Sequence, residues 1–133
     1  MEVAWKLKAI RGATTVPENS AAAMREAVTE LLDALEANNA IDFDEVVSVT
    51  FSVTRDLTAI FPAAIARRRA GWDGVPLLDV QHMHVDGDLP RCIRFLIHAY
   101  LPADRSASHI YLRHARDLRP DLADLPALAH HST

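Results

Sequence analysis

Arg11, Arg94 and Arg119, together with Asp79 and His82, are the residues whose types and spacing could do chemistry. A guanidinium grips a carboxylate with a rigid two-pronged fork, which an ammonium cannot do. The chain holds twelve arginines against two lysines. A GC-rich genome would produce the same excess, and taken singly Arg11 and Arg94 also read as solvated or salt-bridged surface residues. Asp79 and His82 fall three apart in Leu77-Leu78-Asp79-Val80-Gln81-His82-Met83. An imidazole titrates near neutrality and a carboxylate can orient it, so the pair suits acid–base work. A regular strand sends positions i and i+3 to opposite faces, so their meeting requires a bulge. His82, His84 and Asp86 share one strand face instead, a spacing that also suits a metal ion. No third histidine is placed by the sequence to complete such a site. Cys92 is the only cysteine, which excludes an internal disulfide and a cysteine metal cluster. It reads as a small buried filler rather than a nucleophile.

These residues need elements to hold them. Val3 to Arg11 has the period of a strand, with Val3, Trp5, Leu7 and Ala9 on one face. After a Pro17-Glu18-Asn19-Ser20 turn, Asn19 or Ser20 can cap a helix. Met24, Ala27, Val28, Leu31, Leu32 and Leu35 give that helix an apolar stripe, and it ends near Asn38-Asn39. From Glu45 to Thr54, Val47, Val49, Phe51 and Val53 alternate with Ser48, Thr50, Ser52 and Thr54, as in a strand covered on one side. Pro62 can open a short second helix that stops near Gly71. Val75 to Val85 predicts an irregular third strand, followed by an Asp86-Gly87-Asp88 turn. Ile93, Phe95, Ile97 and Ala99 alternate with Cys92, Arg94, Leu96 and His98 in a fourth. Ser108 to Leu118 reads as the last strand. Trp5 and Trp72 read as packing or interface residues.

Five strands and two helices in this order predict one α+β domain over residues 1–122, a mixed sheet with helices on one face. The other face must be solvated or covered by another subunit. Residues 123–133 are expected to form a flexible tail, with His130 and His131 solvated. Half the residues are apolar and the net charge is −4, which argues against broad nucleic-acid binding. No apolar run approaches the roughly 20 residues of a membrane span, and there is no signal-peptide core, so a cytoplasmic location is expected.

Five segments then fall in order along the chain: Ile10-Arg11-Gly12-Ala13-Thr14-Thr15-Val16, Phe61-Pro62-Ala63-Ala64, Arg91-Cys92-Ile93-Arg94, His109-Ile110-Tyr111-Leu112 and Leu118-Arg119-Pro120-Asp121-Leu122. Together they resemble the AroH class of chorismate mutases along nearly the whole chain. The resemblance implies a homotrimer forming a pseudo-barrel, with active sites between subunits. It implies the cofactor-free [3,3] rearrangement of chorismate, a dianion, to prephenate. By position it gives Arg94 the ether oxygen and a carboxylate, Arg11 a substrate carboxylate, and Tyr111 the side-chain carboxylate. Arg67 and Arg119 match arginines near the pocket mouth. Phe61 and Ala63 match walls from the neighbouring subunit, and Leu78 and Leu118 fall among the substrate-binding positions. The chain departs from the family at Asp79 and His82, which are usually cysteine and glutamate, and at Ala64, often lysine. That glutamate holds the ring hydroxyl and complements positive charge on the ring. A neutral His82 can hold the hydroxyl but brings no negative charge, and Asp79 is the residue expected to compensate. The same departures allow two other readings. One is an enzyme of specialised metabolism acting on a related cyclic carboxylate, with Asp79 and His82 as base and acid. The other is a carboxylate binder without catalysis.

Overall fold

Alternation of apolar residues becomes a single five-stranded sheet in the computed structural model, which describes residues 4–122. Its strands are β1 (Trp5–Thr15), β2 (Val46–Val53), β3 (Leu77–Gln81), β4 (Cys92–Pro102) and β5 (Ile110–Tyr111). They lie in the order β3-β2-β4-β1-β5. β4 runs antiparallel to both β1 and β2, whereas β2–β3 and β1–β5 are parallel, so the sheet is mixed. Helices α1 (Ala21–Asn38) and α2 (Pro62–Ala66) follow β1 and β2. The expected tail, with His130 and His131, lies outside the described residues. Among the described residues no helix is long and apolar enough to cross a membrane.

The core forms where the β4 stripe of Ile93, Phe95, Ile97 and Ala99 joins Phe51, Val49 and Ile10 beneath α1. Met24, Val28, Leu31, Leu32 and Leu35 supply the helix side, each essentially without solvent exposure. Burying a side chain of this size contributes about 1.5–3 kcal/mol, so this stripe outweighs any local propensity. Ser20 caps α1 by accepting the Ala23 N–H at 3.1 Å, and Pro62 opens α2 without a side-chain cap. Trp72 is buried and donates its indole N–H to Glu36, which also accepts from Arg69.

Three expectations are corrected. β1 runs on to Thr15 rather than ending at Arg11, because β4 is long enough to pair it as far as Cys92. Its apolar residues Trp5 and Leu7 lie on the face away from the helices, each half exposed. The last strand is only Ile110–Tyr111. Beyond it Arg113 takes a left-handed conformation (φ 53°), donates to the Thr15 carbonyl and Glu30, and starts a 3-10 turn over Arg113–Leu118. β3 likewise stops at Gln81, short of Val85.

Gly12 is required by a close approach. A Cβ there would stand 2.2 Å from the Phe95 ring, which packs across β1 at this point.

Candidate active site

Register determines which side chains meet on the open face. Ala13 of β1 and Ser52 of β2 flank Arg94 of β4, and Arg11 lies opposite Leu96. The guanidinium of Arg94 therefore rises between two small neighbours. A groove of about 430 Å³ on this face is lined by Arg11, Thr50, Ser52, Arg94, Tyr111, Leu118 and Arg119. The structure thus brings together five residues singled out from the sequence, drawn from three strands and the C-terminal turns.

Four of them have a physical anchor. Tyr111 is buried against Ala13, Cys92 and Ala115, with Leu118 packed on the cluster. Burial pushes the Cys92 thiol up, which keeps it protonated and suits a filler. The backbone N–H of Arg11 donates to His109 Nδ1 at 3.0 Å. Burial, then the charges of Arg11 and Arg119, hold His109 below the ordinary histidine range. His109 is therefore a neutral acceptor at pH 7, and the groove's positive charge is carried by arginines. Arg119 closes its fork on Asp121, through Nε at 3.1 Å and Nη2 at 2.9 Å. A carboxylate is thus the group its geometry accepts.

The start of β4 is pinned by a strap that sequence reasoning missed. Arg91 adopts φ 47°, and its backbone N–H donates to the Asp56 carboxylate at 3.0 and 3.2 Å. Its Nε donates to the Val16 carbonyl at 2.9 Å. Thr54 donates to Asp56 and accepts from the Cys92 N–H. Burial would raise Asp56, but the Thr54 and Arg91 hydrogen bonds outweigh it and keep the carboxyl below its usual range. The only hints in the sequence are a threonine two residues before an aspartate and a proline before Arg91.

His82 is not in the lining of this groove but in a second hollow that it shares with Thr54, Asp56 and Asp88. Its Nδ1 lies 3.3 Å from Ser52 Oγ, and its Nε2 lies 3.8 Å from Asp88 Oδ2. Asp88 Oδ1 is in turn 3.8 Å from Arg94 Nη2. His82 Nε2 and Arg94 Nε are both buried without a hydrogen-bond partner. Burial, then the charge of Arg94, hold His82 below the ordinary histidine range, and Asp88 and Asp56 oppose this only in part. The imidazole is neutral at pH 7.

The remaining candidates do not reach this groove. Asp79 pairs with Phe51 in register and so faces the helices, where its Oδ1 accepts the Ala63 N–H at 3.0 Å. Burial holds its carboxyl above the usual range, against the pull of Ala63 and Arg67. No bulge brings Asp79 to His82 within one protomer; they lie on opposite faces, as a regular strand dictates. Phe61 and Asp79 border a separate hollow beside α2. Phe61 is 69% exposed and Leu78 58%, whereas Ala63 is buried. Arg67 terminates α2. His84 pairs with Asp86 at 3.1 Å, and His82, His84 and Asp86 form no metal-holding group.

Residues 7–122 match the family model described as chorismate mutase type I. The chain is 46% identical over 119 residues to the chorismate mutase AroH of Thermus thermophilus, covering 87% of this chain and 96% of that protein. It is 36% identical over 119 residues to the chorismate mutase AroH of Bacillus subtilis (strain 168), covering 88% and 93%. A solved chorismate mutase from Clostridium thermocellum superposes with a TM-score of 0.75 at 36% identity, covering 83% of this chain and 98% of that one. Sheet, groove and relatives together define an isomerase. The chain belongs to the type I chorismate mutase family, the AroH class.

Proposed function

We propose that the chain rearranges chorismate to prephenate at sites shared between the subunits of a cytoplasmic homotrimer. The observation that carries this reading is the convergence of Arg11, Arg94, Tyr111 and Arg119 in one groove. Chorismate is a dianion, and its [3,3] shift is concerted, so positioning and charge stabilisation are the whole task. The groove compresses the flexible ether into a chair-like form by gripping both carboxylates. Arg94 stabilises negative charge growing on the ether oxygen as the C–O bond breaks. Arg11, Arg119 and Tyr111 orient the carboxylates, and His82 holds the ring hydroxyl.

Sharing between subunits rests on two features. The open face carries half-exposed Trp5, Leu7, Leu96 and Tyr100. Phe61 and Arg67 lie away from their own chain's groove, and a neighbouring subunit gives them one to complete. There Phe61 forms a wall and Arg67 guards the mouth.

The test is turnover of chorismate by the purified protein, with prephenate identified as product, followed across pH. Because His82 is held below the ordinary value of about 6.5, the rate stays flat from pH 8 down to that value and falls only below it. Protonation there would put a second cation beside Arg94. A bell-shaped profile centred near neutrality and lost in His82→Ala would replace this reading with acid–base chemistry. Binding without turnover would replace it with a metabolite binder.

A further inference from the structure

One carboxylate stands between Arg94 and His82, and the loop before β4 delivers it. Gly87 takes φ +83°, a left-handed turn open to glycine, and passes the chain to Asp88. The Asp88 backbone N–H closes that turn on the Val85 carbonyl at 3.0 Å. Its Oδ1 accepts the Leu89 N–H at 2.8 Å, which fixes the side chain. So held, the carboxylate stands 3.8 Å from Arg94 Nη2 through one oxygen and 3.8 Å from His82 Nε2 through the other. It is mostly shielded, at 24% side-chain exposure, and His82 more so at 16%.

The rearrangement polarises its substrate. As the C–O bond breaks ahead of C–C bond formation, negative charge collects on the ether oxygen and positive charge on the ring. A neutral imidazole at position 82 answers only a hydroxyl. The negative field must come from elsewhere, and Asp79 faces the helices of its own chain.

We propose that Asp88 is the anionic positioning residue of this site, acting through Arg94 and His82. It holds the guanidinium towards the ether oxygen and draws the His82 proton to Nε2, leaving Nδ1 to accept from Ser52. It also returns to the cluster the negative charge that His82 lacks. This rests on the chorismate reading above. The charged groups acting on His82 are Arg94 of β4, Asp56 after β2, and Asp88 itself.

Asp88→Asn tests it, because an amide oxygen keeps the Leu89 bond and removes only the charge. The expected result is a fall in kcat of about tenfold with KM nearly unchanged, the lower end of the loss seen when a partner that orients a metal ligand is removed. The acid limb of the pH–rate profile, and the His82 titration followed by proton NMR, both move to lower pH. Asp88→Glu recovers part of the rate. In the Asp88→Asn background His82→Glu restores kcat, whereas in the wild type it adds little. A merely structural Asp88 would change the thermal midpoint and leave both titrations in place. Wild-type turnover with kcat and titrations unmoved in Asp88→Asn overturns this inference alone. A wild type inert towards chorismate overturns the function and this inference with it.

Discussion

Arg94→Ala should leave on the order of one part in 10²–10³ of the wild-type kcat, with a smaller effect on KM. A preorganised donor aimed at developing charge is worth about 2.7–4 kcal/mol in a shielded site, because it acts more strongly on the transition state than on the ground state. The proposed function makes Arg94 such a donor. Its strand is pinned by the Thr54–Asp56–Arg91 strap, and its neighbours in register are the small Ala13 and Ser52. Arg94→Lys should recover little, since an ammonium cannot span the ether oxygen and a carboxylate together. Steady-state kinetics on chorismate checks both variants. Equal losses in Arg94→Ala and Arg11→Ala, expressed only in KM, would show that the arginines bind without discriminating the transition state.

Leu7→Asp should yield a folded monomer that has lost nearly all activity. Leu7 pairs with Tyr100 in register, and both are half exposed in the isolated chain, well away from the groove. A carboxylate buried there without a partner costs several kcal/mol, enough to undo assembly. The thermal transition of the sheet should remain cooperative, since no core contact is touched. Sedimentation velocity reads the assembly and the chorismate assay reads the site. A fully active monomer would place the whole site within one chain.

Much of this is legible in the sequence, and the reasons are local. The stripe Ile93, Phe95, Ile97, Ala99 is strictly alternating and half covered, so both its strand and its buried face follow from period alone. α1 is equally plain, with a cap, a stripe and an asparagine end. What failed was where tertiary contacts override pattern. Arg113 has no sequence signal for a positive φ, and its bonds to Glu30 and Thr15 turn the expected strand into a 3-10 segment. In the site, the arginines and Tyr111 were found through motifs that space them correctly for one face. Asp88 and Asp56 were passed over because loop aspartates are common and nothing local marks one as facing a guanidinium. Asp79 shows the opposite error. Its proximity to His82 in sequence suggested a pair, and strand geometry separated them.

The shared isomerase site is tested most directly by mixing two inactive variants. Arg94→Ala removes the charge from one face of the site, and Phe61→Asp puts a carboxylate on the other, where it repels a dianion. After subunit exchange, interfaces that pair an intact arginine groove with an intact α2 face should reappear. About a quarter of wild-type chorismate turnover should then return, the share expected for random assortment in a cyclic assembly. If the mixture stays as inactive as its parts, while wild-type protein taken through the same exchange keeps its rate, the site is not shared and the account of it is wrong.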